Sequence, residues 1–156
     1  MASNNVTRLL DSKNIPYQAH EFPAEKLGAL EVAELLQISP DQIYKTIVIT
    51  RENKGKKILA VVPGSSEVDL KLLARVLGEK KVYLSTERQA EKITQLRVGG
   101  ISPLALINRG FQVVIDQSCQ LHEHIYISGG QRGLDIRLSP ADLINLTQAE
   151  VAIISR

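Results

Sequence analysis

Lys45 lies within an apolar segment, IYKTIVITR (residues 43–51), whose β-branched composition predicts a buried strand. Because side chains alternate along a strand, Lys45 and Ile47 share one face and Thr46 lies on the other. A lysine in this position has two explanations. It lines a cleft, where an ammonium group binds phosphates or carboxylates, or it lies at the edge of the sheet and extends its charged end to water. The pattern alone leaves both explanations open.

Two glycine-containing segments are candidates for contacting a ligand. RVGGISP (97–103) combines flexible backbone with the hydroxyl of Ser102, and such a loop can direct N–H groups at a carbonyl oxygen or a phosphate. ISGGQRG (127–133) places Ser128 beside glycine-rich backbone. Neither segment has the spacing of a Walker or Rossmann phosphate loop. A tight turn in the first segment and a loose hairpin in the second also explain the glycines.

The usual catalytic residues form no convincing set. Cys119 has no histidine at a spacing that indicates activation, and no G-x-S-x-G elbow is present. His122 and His124 would share one face of an extended segment, but no further Cys or His cluster completes a metal site. His20 is interpreted as an ordinary surface or partly buried histidine. The sequence therefore predicts neither a protein nucleophile nor a metal centre.

The composition is that of an ordinary globular protein. A chain of 156 residues with 44% apolar and 23% charged residues predicts one domain, residues 1–156. The net charge of +2 is too small to indicate a nucleic-acid partner by itself. A single cysteine, and no apolar run near the roughly 18 residues that span a bilayer, predict a cytoplasmic protein.

Basic residues concentrate in one predicted hairpin, at Arg51, Lys54, Lys56 and Lys57. If the fold brings them to one rim, they could follow a phosphate backbone. A solvated hairpin tip explains the same cluster without a partner.

Short helices alternate with strands along the chain. Strands are predicted over PYQAHEF, IYKTIVITR, KKILAVVPG, KVYLS, FQVVID, HIYIS, LDIRLS and VAIIS, with Asn53, Lys54 and Gly55 as the turn of the first hairpin. Helices are predicted after Asn4 or Asn5 and over ALEVAELLQI, VDLKLLARVLG, ERQAEKIT and PADLINLT. The expected caps include Ser66 with Asp69, Thr86, and Ser139 with Asp142. This pattern favours a mixed α/β domain around a curved central sheet.

In their order and spacing, these pieces resemble the YbaK/EbsC-like aminoacyl-tRNA deacylases, free-standing relatives of the editing domain of bacterial prolyl-tRNA synthetases. The segments that carry the resemblance are YKTIVI, AVVPGSSEVDLKLLARVLGEKKV, VGGISPLAL and IYISGGQRGLDIRLSPADL. The resemblance implies a mixed α+β fold with a partly barrel-like mixed sheet and surrounding helices. It also implies trans-editing of mischarged tRNA(Pro), with Cys-tRNA(Pro) as the closest match.

The resemblance further implies roles for individual residues. Lys45 would hold the 3′-terminal nucleotide or its phosphate and orient the ester, and Thr46 would help to line the pocket. The backbone of Gly100 and Ile101, with Ser102, would grip the aminoacyl end.

On the facing strand, Ser128 would contact the substrate and Asp135 could meet its ammonium group. In the cysteine-editing branch the substrate's own thiol attacks the ester carbonyl, so the enzyme needs only to orient the ester and stabilise the oxyanion. Such an enzyme uses no metal and no organic cofactor. Its partners would be the aminoacyl-tRNA and a prolyl-tRNA synthetase that presents it.

Two departures from the family pattern touch the amino-acid pocket. Family members often carry Thr-Gly-Tyr before the glycine loop, where this chain has residues 94–96, Thr-Gln-Leu. An aromatic residue often precedes the first pocket helix, where this chain has residues 28–30, Gly-Ala-Leu, while Phe22 replaces a frequent tyrosine. These changes leave two alternatives open: an editor for another small amino acid (Ala or Ser), and a non-catalytic module that binds tRNA or a synthetase.

Overall fold

The computed structural model describes residues 3–52 and 55–156, in which five helices pack against two sheets. The helices are α1 (Asn5–Ser12), α2 (Ala29–Leu36), α3 (Leu70–Leu77), α4 (Glu87–Thr94) and α5 (Pro140–Thr147). The strands are β1 (Tyr17–Glu21), β2 (Tyr44–Arg51), β3 (Ile58–Pro63), β4 (Val82–Leu84), β5 (Gln112–Asp116), β6 (Ile125–Ser128), β7 (Leu134–Leu138) and β8 (Glu150–Ala152). Two short 3₁₀ segments span Pro103–Leu106 and Gln117–Leu121.

The larger sheet has the strand order β4-β2-β3-β5-β8. β2 and β3 form the predicted antiparallel hairpin, in which Lys45 lies opposite Val62. Asn53 and Lys54, which were predicted to turn the hairpin, lie outside the described residues. β5 pairs in parallel with both β3 and β8, so the sheet mixes the two strand orientations.

β3 separates two parts of the core because its side chains alternate between faces. Leu59 and Val61 pack into one apolar cluster, with residues of α1, β5, β6 and β7. Ile58, Ala60 and Val62 pack into a second cluster with α3 and β4. Every residue of β3 is buried, which explains why its sequence is a continuous apolar run with no polar alternation.

The smaller sheet is antiparallel, with the order β1-β7-β6. Its register places Asp135 of β7 between Ser128 of β6 and His20 of β1. A single bridge between Ile43 and Tyr126 connects it to the larger sheet. The predicted mixed α/β architecture is confirmed. Neither sheet closes on itself, so the predicted barrel-like character is limited to the place where the two sheets meet.

The caps of three helices agree with the prediction in position. Asn4 and Thr86 begin α1 and α4, and each forms a capping box with the residue three positions later. Ser139 begins α5, but its side chain makes no capping hydrogen bond, and Asp142 lies in the first turn.

The start of α3 differs from the prediction. Asp69 itself is the N-cap and accepts a hydrogen bond from the Leu72 N–H, so the expected capping box beginning at Ser66 is wrong. The physical reason lies just before the helix, where Val68 forms an antiparallel bridge to Ser155. This pairing keeps the chain extended up to residue 68 and delays the first helical turn. None of the helices in residues 3–52 and 55–156 combines the length and apolar character that a bilayer crossing requires.

Candidate active site

A cavity of about 290 Å³ is lined by both sheets. β2 and the residue before it supply residues 43–48, and the smaller sheet supplies Ser128 and Asp135. The rest comes from the beginning of α2 and α4, each with the two residues before it, and from the glycine loop, defined here as residues 97–102. Aliphatic side chains make up most of the wall between these polar groups.

Lys45 lines this cavity, and its side chain keeps 23% of its surface exposed. Its Nζ lies 3.6 Å from a carboxylate oxygen of Glu67, whose side chain is 79% exposed. An ion pair between such exposed groups contributes little to stability, typically about 0–1 kcal/mol. The two explanations of Lys45 therefore combine: the stem borders a cleft and the ammonium group lies where water and a ligand both reach it.

Thr46 also lines the cavity, on the face of β2 that packs into the first core cluster. Its Oγ1 is buried and has no hydrogen-bond partner among the described residues. Ser85, which lines the cavity beside α4, has a hydroxyl in the same state. Buried polar atoms in native proteins nearly always have a partner, so these hydroxyls are suited to a bound polar ligand.

Asp135 lines the cavity from the smaller sheet and is only 5% exposed. No ion pair or side-chain hydrogen bond from the described residues reaches its carboxylate. Burial therefore raises the pKa of the Asp135 carboxyl from 3.8 to about 7. A cation placed beside it by a ligand would restore the charged form, which suits this residue to recognising an ammonium group.

Ser128 is the cross-strand neighbour of Asp135 and lines the same wall. Its hydroxyl accepts a hydrogen bond of 3.2 Å from the Gly130 N–H, at the start of the turn between β6 and β7. The hydroxyl proton remains available as a donor to a ligand.

The glycine loop contributes Val98, Gly99 and Ile101 to the cavity. The N–H groups of Gly99 and Ile101 have no acceptor among the described residues. Backbone donors at a cavity wall can stabilise negative charge that develops on a carbonyl oxygen.

Gly100 and Ser102 lie behind this wall and outside the cavity lining. A Cβ on Gly100 would come within 2.8 Å of the Gln131 backbone, and the Gly100 N–H donates to the Arg97 carbonyl. Ser102 is fully buried and its hydroxyl accepts from the Leu104 N–H, capping the 3₁₀ segment. Close packing and capping thus explain both residues, and their predicted contact with an aminoacyl end stays a prediction.

Phe22 is not among the residues that line the cavity. It packs in a third apolar cluster with Val32 and Tyr126, and its N–H donates to the Gly133 carbonyl. Gly28 and Ala29 line the cavity instead, whereas Leu30 is 57% exposed. The pocket is therefore bounded here by small residues, with no aromatic side chain from this segment.

The first turn of α4 is a part of the site that the sequence analysis missed. Ser85, Thr86 and Glu87 line the cavity, and Ala90 closes it from one helical turn further on. The only local signal was the Thr86 cap, which locates the helix end but not what the end faces. Glu87 also pairs with Lys26 at 2.6 Å and thereby links α4 to the segment before α2.

The remaining candidates lie elsewhere. Cys119 is buried, and burial raises its pKa to about 11, so its thiol stays protonated at neutral pH. His20 packs against the Tyr126 ring, and His124 contacts Arg137 at 3.0 Å. Within residues 3–52 and 55–156, no group of three or more His, Cys, Asp or Glu side chains is arranged to hold a metal ion. The expectation of a metal-free site stays a prediction.

The basic hairpin does not present a uniform phosphate-binding rim. Arg51 is only 11% exposed and is held by Glu79 at 3.2 Å and by Gln112 at 2.9 Å. Lys54 lies outside the described residues. Lys56 and Lys57 are exposed, as the solvated-tip explanation requires.

Comparison with known proteins identifies the family. Residues 25–146 match the model of the aminoacyl-tRNA editing domain, which is most of the chain. The chain belongs to the aminoacyl-tRNA editing domain family. Every residue found to line the cavity falls within the matched range.

Relatives of this editing domain include free-standing and synthetase-borne proteins. The chain is 35% identical over 153 residues to the "Putative Cys-tRNA(Pro)/Cys-tRNA(Cys) deacylase EbsC" of Enterococcus faecalis. The match covers 97% of this chain and 92% of that protein. The chain is 29% identical over 106 residues to the proline–tRNA ligase of Desulfotalea psychrophila, covering 68% of this chain but 18% of the ligase. Among solved structures, a "putative trans-editing enzyme for prolyl tRNA synthetase" has a TM-score of 0.83 and 25% identity over nearly the full length of both chains.

These findings confirm the predicted family and its enzymatic class, that of proteins that remove amino acids from tRNA. The geometry of the editing domain fits that chemistry. The cavity lining offers the ammonium group of Lys45, the buried carboxyl group of Asp135, and backbone N–H groups of the glycine loop that have no acceptor among the described residues.

Proposed function

We propose that residues 1–156 form one trans-editing aminoacyl-tRNA deacylase that clears mischarged tRNA(Pro), with Cys-tRNA(Pro) as its main substrate. The observation that carries the proposal is that Lys45, from the larger sheet, and Asp135, from the smaller sheet, line one largely apolar cavity. The names of the EbsC relative and of the trans-editing structure support the choice of tRNA.

The cavity chemistry indicates how an aminoacyl end would lie. The substrate ammonium group would pair with Asp135, the buried carboxyl group that has no cation of its own. The small side chain would pack against aliphatic groups such as Val32, Ala90 and Ile101. The terminal nucleotide would extend toward the partly exposed Lys45, whose ammonium group attracts its phosphate.

In this orientation the reaction needs little from the protein beyond positioning. The substrate sulfur forms a bond to the ester carbonyl carbon, the carbon–oxygen bond to the ribose breaks, and the thiol proton passes to the departing 3′ oxygen. The products are free tRNA and a cyclic thioester of cysteine. The N–H groups of Gly99 and Ile101 would stabilise the oxyanion. The proposed mechanism uses no metal or organic cofactor.

The proposal places the enzyme in the cytoplasm, where mischarged tRNA arises, with a prolyl-tRNA synthetase as the partner that presents it. Small residues at positions 28 and 29 leave room for other small amino acids. Ala-tRNA(Pro) and Ser-tRNA(Pro) are therefore the competing substrates.

The test is a panel of tRNA(Pro) charged with Cys, Ala, Ser or Pro, followed for ester loss with and without prolyl-tRNA synthetase. We expect Cys-tRNA(Pro) to be hydrolysed fastest and Pro-tRNA(Pro) to survive. Ser-tRNA(Pro) is the matched control for the thiol, because serine carries a hydroxyl group where cysteine carries the thiol. Hydrolysis of none of them, under conditions where a known editor works, would contradict the proposal and favour a binding module.

A further inference from the structure

The backbone of Val98 is held from two sides by charged side chains. Glu91 of α4 accepts a hydrogen bond of 2.8 Å from the Val98 N–H. Arg132, in the turn between β6 and β7, donates from Nε to the Val98 carbonyl at 2.7 Å. Val98 and Gly99 line the cavity, whereas Glu91 and Arg132 do not. Both side chains therefore act on the site only through the backbone that they hold.

The glycine loop also rests directly on Arg132. Gly99 has a φ of +95°, and a Cβ there would lie 3.4 Å from Cγ and 3.5 Å from Nε of Arg132. Gly100 lies so close to the turn that a Cβ would come within 2.8 Å of Gln131. The loop thus packs against both the arginine stem and the backbone of Gln131.

The turn that carries Arg132 is itself anchored by other contacts. The Asn4 side-chain amide donates to the Gly129 carbonyl at 2.9 Å and to the Gln131 side chain at 3.0 Å. The Phe22 N–H donates to the Gly133 carbonyl at 3.0 Å. Removing the Arg132 side chain would therefore leave the turn in place and release the loop.

We propose that Arg132 and Glu91 are positioning residues for deacylation, which fix the Val98–Gly99 backbone so that the N–H groups of Gly99 and Ile101 meet the reacting carbonyl. This inference rests on the proposed function. A displacement of about 1 Å in a catalytic group can lower a rate by ~10²-fold. Because neither residue lies where the nucleotide would bind, their loss acts on the rate constant and not on tRNA affinity.

The test compares Arg132→Ala, Glu91→Ala, Glu91→Gln and the double Ala variant with wild type on Cys-tRNA(Pro). Each single Ala variant should lower kcat by roughly 10- to 100-fold, with KM within about 2-fold. Glu91→Gln should retain most of the activity, since an amide oxygen accepts the same hydrogen bond. The double variant should lose much less than the product of the two single losses, because both release one peptide segment. Arg109→Ala removes an exposed arginine elsewhere and is the matched control for lost charge.

A second measurement does not depend on activity. Amide hydrogen exchange at Val98 should speed up at least 10-fold in Glu91→Ala and stay near wild type in Glu91→Gln and Arg109→Ala. Unchanged Val98 exchange in Glu91→Ala would overturn the inference, even if Arg132→Ala failed to fold. Wild-type kcat in both Ala variants, or losses confined to KM, would overturn it as well. An inactive wild type would instead contradict the proposed function, with the exchange result still deciding whether the loop is held in this way.

Discussion

Lys45 and Asp135, which both line the cavity, differ in their exposure to water and in their charged partners. Lys45 keeps 23% of its side chain exposed and pairs with the carboxylate of Glu67, whose side chain is 79% exposed. Asp135 is 5% exposed and has no counter-charge among the described residues. The lysine can attract a phosphate without a large desolvation cost, because it already meets water. The carboxyl group is costly to ionise until a cation enters. Under the proposed function, this difference is the one expected between a residue that guides the tRNA end and one that recognises the amino acid.

The largest effect should follow from removing the exposed charge. Lys45→Ala should lower kcat/KM for Cys-tRNA(Pro) by about 100-fold, equivalent to about 2.7 kcal/mol of transition-state stabilisation. The melting temperature should change little, since the ion pair with Glu67 contributes at most about 1 kcal/mol. Steady-state kinetics and thermal melts check both. Lys71→Ala, which removes an exposed lysine of α3, is the control. Equal activity of Lys45→Ala and Lys71→Ala would show that Lys45 is not part of the active site.

The buried charge should appear in the pH profile. Burial raises the pKa of Asp135 to about 7, so the carboxylate that pairs with the substrate becomes populated only as pH rises through that value. We expect kcat/KM to rise about 10-fold between pH 6 and pH 8. Asp135→Asn should be less active and lack this rise. If the pH profile of kcat/KM has the same shape in Asp135→Asn as in wild type, another group is responsible for the rise.

The same carboxyl group should weaken the fold at high pH. Its pKa is raised from 3.8 to about 7 in the folded state, so the native protein binds more protons than the unfolded chain between these values. Stability contributed by the protonated form is therefore lost as pH rises from about 4 to about 7. Asp135→Asn should melt at a higher temperature than wild type at pH 8, with a smaller difference at pH 5. A melting-temperature difference between Asp135→Asn and wild type that becomes smaller as pH rises would contradict this expectation.

The smallest effect should come from Glu67. Its carboxylate lies 3.6 Å from the Lys45 ammonium group and competes with a tRNA phosphate for it. Glu67→Gln should lower KM by about 2-fold at low salt, with no effect at high salt, because exposed charges are screened. Kinetics at two ionic strengths check this. A higher KM in the variant would mean that Glu67 helps to orient Lys45.

Local sequence signals predicted the parts of the molecule that depend on neighbouring residues. The β-branched run around Lys45 and the caps at Asn4 and Thr86 gave the right elements, because strands and helix ends are determined within a few positions. The predicted start of α3 was wrong because a distant residue, Ser155, pairs with the chain just before Asp69 and keeps it in an extended conformation.

The composition of the site depended on long-range packing that spacing does not contain. No local pattern shows that α4 opens onto the cavity, or that Gly100 is a glycine because Gln131 lies 2.8 Å from its missing Cβ. The resemblance indicated Lys45, Thr46, Ile101, Ser128 and Asp135, all of which line the cavity. It could not reveal the contacts of Ser102 and Phe22, which are absent from the cavity lining and have neighbours in the first 3₁₀ segment and in α2.

The central claim is that the substrate lies between Lys45 and Asp135, with its ammonium group at the carboxylate. The most direct test is single-turnover deacylation of Cys-tRNA(Pro) and N-acetyl-Cys-tRNA(Pro) at pH 8 by wild type, Lys45→Ala and Asp135→Asn. Acetylation removes the ammonium charge and leaves the thiol, ester and tRNA in place. We predict that wild type prefers the free amine at least 10-fold, that Asp135→Asn loses this preference, and that Lys45→Ala keeps it while being slow on both. Equal preference in wild type and Asp135→Asn would contradict the account.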